Sequence, residues 1–181
     1  SKTEIDILAE ALVYDYSPDC MKEPQPIDVD MFCESYLGLN QDFVYLSNCG
    51  VYLGMMVFED TDKVVIYNPE KDRAENMNVK KNTVLIDNSL VDTSIDHQVE
   101  AIRKNSLIHP RDKRMKVDQL LQKKKAQEHR YRFTMGHETA GHAILHKTYF
   151  DRLSKDSQAP VIQCRKSTNC LSHKDVRSYT D

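Results

Sequence analysis

Apolar positions recur at helical spacing at the start of the chain and at strand spacing in its middle. Ile5, Leu8 and Leu12 return every three or four residues, which predicts a helix capped by Thr3 and ending near Tyr16 and Pro18. After Pro24-Gln25-Pro26, Asp28 is placed to cap a second amphipathic helix through Val29, Phe32, Cys33, Tyr36 and Leu37, stopped by Gly38. The period then changes. Phe43 to Leu46, Val51 to Phe58, Val64 to Tyr67 and Thr83 to Ile86 are short runs rich in Val, Ile and aromatics. Ser47-Asn48-Cys49-Gly50 and Glu59-Asp60-Thr61-Asp62 punctuate them, so they read as a meander of three or four antiparallel strands. Residues 87 to 110 have no clear period and read as loop-rich, with one helical turn at most. From Pro110 onward Met115, Leu120 and Leu121 mark a helix, so 87–130 is expected to be a loop-rich insertion leading into a basic helix. The class this predicts is α+β: a small antiparallel or mixed sheet of three to four strands packed with helices.

Composition narrows the reading. The chain has 181 residues, enough for one domain with a real core, and 1–181 is read as a single domain. With 40% apolar and 29% charged residues it is an ordinary folded chain, neither collagen-like nor disordered. Its longest apolar run, Val51 to Phe58, is far short of the roughly 20 residues of a membrane span. The N-terminus lacks an apolar signal-peptide core, and the five cysteines are an odd number in a chain too large to need staples. A cytoplasmic protein with reduced thiols and no membrane partner is the expectation. Cys164 and Cys170, with His173 close behind, lie outside the spacing of most zinc knuckles.

Charge is unevenly spread. Residues 101 to 132 hold 11 Lys and Arg against Asp112, Asp118 and Glu128, a local +8 within a net −3. The basic stretch reads as a solvated helix face. It has neither the interleaved aromatics of a base-stacking surface nor a helix-turn-helix pattern, so a nucleic-acid partner is not expected.

The chemistry concentrates in Arg132-Phe133-Thr134-Met135-Gly136-His137-Glu138-Thr139-Ala140-Gly141-His142-Ala143-Ile144-Leu145-His146. Histidines that bind Zn²⁺, with a glutamate beside the first taking a proton from the metal's water, form the zinc-hydrolase arrangement. The usual spacing puts the histidines four apart, on one face of a helix. His137 and His142 are five apart, about 140° around a regular helix. Three readings stand. A one-residue π-bulge near Thr139 to Gly141, favoured by Gly136 and Gly141, would bring the two rings together. His142 and His146, four apart, could be the metal pair instead. Or the histidines bind no metal and only pack or cap.

This segment resembles the active helix of the ImmA/IrrE family of bacterial metallo-endopeptidases, whose pattern is approximately RFTxAHExGHxxLH; this chain has a variant HExxGH with one residue more. The strands around Val51-Tyr52-Leu53-Gly54-Met55 and Thr83-Val84-Leu85-Ile86-Asp87 are similar as well, so the likeness spans most of residues 1 to 150. The spacing is also that of the dipeptidyl-peptidase III type, which the rest of the chain does not resemble. The family likeness implies a zincin-like fold, His137 and His142 as metal ligands, Glu138 as general base and Zn²⁺ as cofactor. It further implies cleavage of a protein partner, typically a helix-turn-helix repressor. In the family the third ligand is a later Glu. No Glu follows Glu138 here, so the chain is expected to stop short of its natural C-terminus; Asp151, Asp156, His173, Asp175 and Asp181 are the remaining donors, and Tyr149 and Tyr179 the candidate oxyanion stabilisers. The rival class is a catalytically inactive module on the same fold, which binds a repressor or toxin without cutting it.

Overall fold

The structure is a computed structural model that describes residues 2–147 and the backbone of 161–165. Helix α1 (Lys2–Tyr16) and a short 3-10 turn (Pro18–Met21) lead into α2 (Val29–Met31), which continues as a π-helical segment, Phe32–Tyr36. The Asp28 carboxylate caps α2 as its position foretold, accepting from the Asp30 and Met31 amides at 3.1 and 3.0 Å. Gly38 ends the segment at φ +64°, a conformation that costs glycine nothing. Helix α1 already includes Lys2, ahead of its expected Thr3 cap. An aromatic cluster ties it to α2: Tyr16 packs edge-on against Phe32 and Tyr36, and the Tyr36 hydroxyl donates to Asp15 at 2.6 Å.

The strands are β1 (Asn40–Val44), β2 (Tyr52–Val57), β3 (Thr61–Asn68), β4 (Arg73–Val79), β5 (Thr83–Asp87) and β6 (Val161–Arg165). They form a four-stranded sheet in the order β1-β5-β2-β6 and a separate β3-β4 hairpin. The sheet is mixed, because β1 runs parallel to β5 whereas β2 is antiparallel to both neighbours. The antiparallel meander is therefore corrected on two counts. β3 leaves the sheet to pair with β4, and β5 returns between β1 and β2. β4 went unrecognised because Arg73-Ala74-Glu75-Asn76 is polar; Ala74 and Asn76 face water, and half-buried Glu75, on the side of Met77 and Val79, receives hydrogen bonds from Asn68, Lys71 and Arg73.

Alternation along β2 and β5 builds a core on each face of the sheet. Met56, Val84 and Ile86 point one way and meet Cys33, Leu90 and Met135 from the helical segments and Leu39 from the link before β1. Met55, Val57 and Leu85 point the other way and meet Leu46, Val64 and Val79 from β1's end and the hairpin. Buried Asp87 locks the end of β5: its carboxylate accepts from the Leu46 amide at 2.8 Å and the Ser89 amide at 3.0 Å.

The loop-rich reading of residues 87 to 110 is corrected too. A short 3-10 turn (Asn88–Leu90) is followed by α3 (Ser94–Lys104), an 11-residue helix whose Val99 is buried. Ile95, Val99 and Ile102 carry the helical spacing, but the charged residues between them hide it. α4 (Pro110–Gly136) is the expected basic helix. Lys124 binds Asp96 of α3 at 2.7 Å, and the Gln127 amide donates to the Ser89 and Asp92 carbonyls. At its far end the Tyr131 hydroxyl donates to Asp30, and Gln41 of β1 donates to Tyr131 at 2.9 Å. These bonds aim the end of α4 across the sheet face. Among the described residues no helix is long and apolar enough to cross a membrane.

Candidate metal centre

At Gly136 the helix changes type without ending. Residues His137–His146 continue α4 as a π-helix, with hydrogen bonds reaching five residues back instead of four. That is the irregularity the five-residue spacing required, although it extends over ten residues where a single wide turn was expected. Its consequence is convergence: the His137 and His142 rings lie 4.6 Å apart, edge to face. An unbroken α-helix would have turned them to different faces.

Each ring is held from a second side. Phe133 stacks on His137 with centroids 6.0 Å apart and planes 11° from parallel. His142 Nδ1 lies 2.9 Å from His146 Nδ1, a hydrogen bond in which one of the two nitrogens carries the proton and the other accepts it. That contact occupies one nitrogen of His142 and leaves Nε2 for another partner. The alternative of His142 and His146 as the metal pair thus finds the two rings joined to each other, and the three-residue cluster excludes His146.

Glu138 points from the helix into the sheet. Thr134, Met135, Glu138 and Thr139 are all buried, and Glu138 is 0% exposed. Neither of its carboxylate oxygens has a hydrogen-bond partner among the described residues. Burial alone pushes its carboxyl up to about 8. The histidines shift the opposite way for the same reason: burial, reinforced by His137 and His146, takes His142 down to about 4, and burial followed by His146 lowers His137. At neutral pH both imidazoles are therefore unprotonated, with lone pairs to give.

One donor atom each from His137, Glu138 and His142 falls within 4.8 Å of the others, so the three could hold a metal ion. The donor chemistry fits zinc: two imidazoles and a carboxylate are a common set for it. A buried carboxylate with both oxygens unsatisfied is what such an ion, or its water, would complete. The third-ligand candidates Asp151, Asp156, His173, Asp175 and Asp181, with Tyr149 and Tyr179, lie outside the described residues, as does the side chain of Cys164.

Sequence reasoning missed two supports. Gly54, in the middle of β2, faces the helix beneath Glu138 and Thr134. The Thr139 hydroxyl, fully buried, donates to the Met135 carbonyl at 2.6 Å across the start of the π-helix. A lone glycine inside an apolar strand run was the available signal for the first, since it often marks a close approach of another element. Beside His137, α1 and the helix enclose an apolar cleft of about 600 Å³, lined by Ile5, Leu12, Phe32, Phe133 and Leu145 among others.

The chain is thus an α+β protein with a mixed sheet and a cluster of half-buried His137 with buried Glu138 and His142 that could hold a metal ion. Compared with known proteins, it matches no family model, no curated protein and no solved structure.

Proposed function

We propose that this chain is a zincin-like, zinc-dependent endopeptidase domain that cleaves a protein partner, with His137 and His142 as metal ligands and Glu138 as general base. The observation that carries the reading is the π-helix, which brings two histidines five residues apart onto one side around a buried glutamate. π-Helical segments concentrate at functional sites, and this one, unlike Phe32–Tyr36, falls on a histidine pair whose five-residue spacing requires it, which supports a working site.

Zinc, held by His137 and His142, would supply Lewis acidity to a scissile carbonyl and acidify the attacking water. Glu138 takes the proton from that water and passes it to the departing amine nitrogen. Burial raises the Glu138 carboxyl to about 8 in the metal-free site; a dication beside it would lower that value and free the carboxylate to act as a base. The cleft beside His137 offers apolar walls to a polypeptide's side chains. β2, the strand over the site, is paired on both edges, so a substrate adding as an extra strand would join β1 or β6. A helix-turn-helix repressor encoded nearby is the proposed partner.

One observation favours a second reading. The Glu138 oxygen is close enough to both imidazoles to be a ligand itself, and a coordinated carboxylate is no longer a base. In that case the domain is a metal-stabilised module that binds a repressor or toxin without cutting it. Glu138→Gln decides between them. In the peptidase it lowers repressor cleavage by a factor of about 100 to 10,000 while zinc affinity, read by calorimetry, stays near wild type. In the binding module the wild type never cuts the repressor, and the substitution weakens zinc instead.

A further inference from the structure

We propose that Gly54 is a positioning residue for Glu138: the missing side chain on β2 is what lets the helix lie close enough to the sheet for the glutamate to be seated among the histidines. The proposal rests on the metal-centre reading only for what Glu138 is positioned to do. A Cβ built on Gly54 would stand 2.6 Å from Thr134 Cγ2, 2.8 Å from Glu138 Cγ and 3.1 Å from Glu138 Oε1. None of these neighbours can swing away cheaply. Thr134 and Glu138 are both 0% exposed, and the Thr139 hydroxyl bond fixes the backbone of the same turns.

The strand itself is disturbed at this point. Pairing between β2 and β6 shifts register between Tyr52 and Gly54, whereas Gly54 through Val57 remain in register with β5. The opposite β5 residue, Ile86, is fully buried against the helices, so the helix end presses on this part of the sheet. The glycine is also not a backbone requirement, because its φ is not in the left-handed region where Gly38 and Gly50 lie. Its role is space. Gly136, by contrast, has nothing within 4 Å of its built Cβ and provides the matched control.

The test is a double-mutant cycle on the metal-free protein, followed by titration with Co²⁺ as a spectroscopic probe. Gly54→Ala should lower Tm by about 4 to 8 °C, the shift expected when one methyl overpacks a core of this size. In a Glu138→Ala background, where no Cγ is left to strike, that loss should fall below half, and Thr134→Ser should relieve part of the remainder. Gly136→Ala should not lower Tm. Loaded with Co²⁺, Gly54→Ala should reproduce whatever change in visible absorption Glu138→Ala produces, and Thr134→Ser should move it back toward wild type. Equal Tm losses with and without the Glu138 side chain would overturn the proposal. So would a wild-type Co²⁺ spectrum in Gly54→Ala alongside an altered one in Glu138→Ala. If wild type binds no Co²⁺, the metal-centre reading fails, yet the unfolding cycle still decides whether Gly54 seats Glu138.

Discussion

The helix from Pro110 to His146 has two halves that share a backbone and almost nothing else. In the first, only the stripe Lys113, Val117, Leu120, Lys124, Gln127 is half-buried; it recurs at three- and four-residue steps and rests on α3, while the cations around it stay in water. In the second, Thr134, Met135, Glu138, Thr139 and His142 are buried against the sheet. The first half keeps its charges at their ordinary task of solvation. The second buries a carboxylate and one imidazole, half-buries another, and shifts all three through loss of water, the carboxyl up and the imidazoles down. What differs is the opposing surface: a narrow helix in one case and, in the other, a broad apolar sheet with a gap at Gly54. The chemistry of this helix is thus set by what faces it.

The largest contrast between the halves should appear in metal binding. With His142 as the ligand proposed above, His142→Ala should weaken zinc by more than about 100-fold, beyond what loss of a supporting contact costs; calorimetry reads it directly. Equal, tight zinc binding by this variant would move the centre elsewhere and dissolve the contrast.

A second test uses pH. Glu138 has its folded carboxyl raised from 4.5 to about 8, so between those values the folded state retains a proton that the unfolded chain has lost. Stability of the metal-free protein from this group is therefore whole below about 4.5 and declines as pH rises toward 8, with a slope approaching about 1.4 kcal/mol per pH unit. His142, lowered from 6.5 to about 4, acts at the acid end: its contribution is whole above 6.5 and is lost as pH falls toward 4. Denaturant unfolding of wild type and Glu138→Gln from pH 5 to 9 should show the wild type losing ground steadily until about pH 8 and then running parallel. Parallel curves throughout would mean that Glu138 is not buried as described.

The smallest effects sharpen the comparison from within. Thr139→Ala deletes a buried hydroxyl bond and a methyl group and should cost about 1 to 2 kcal/mol by chemical denaturation. Lys125→Gln, on the exposed side of the first half, should stay within about 0.5 kcal/mol of wild type. Similar losses at the two positions would remove the distinction between a solvated helix and a buried one.

The sequence by itself determined the local features. Asp28 before Val29 and Gly38 after Leu37 bound the second helical segment because capping and left-handed φ are short-range requirements met by single residues. The extra residue between Glu138 and His142, with Gly136 and Gly141 beside it, announced a widened helix, since no regular one could align those rings. Only the tertiary structure decided the rest. β5 inserts beside β1 in parallel, and polar Arg73-Ala74-Glu75-Asn76 becomes a strand, because pairing depends on distant partners that a local pattern does not encode. The burial of Glu138 is decided in the same way. Nothing in His137-Glu138-Thr139 says that the carboxylate faces a sheet; the apolar faces of β2 and β5, and the space left at Gly54, take it out of water and give it an unusual proton affinity.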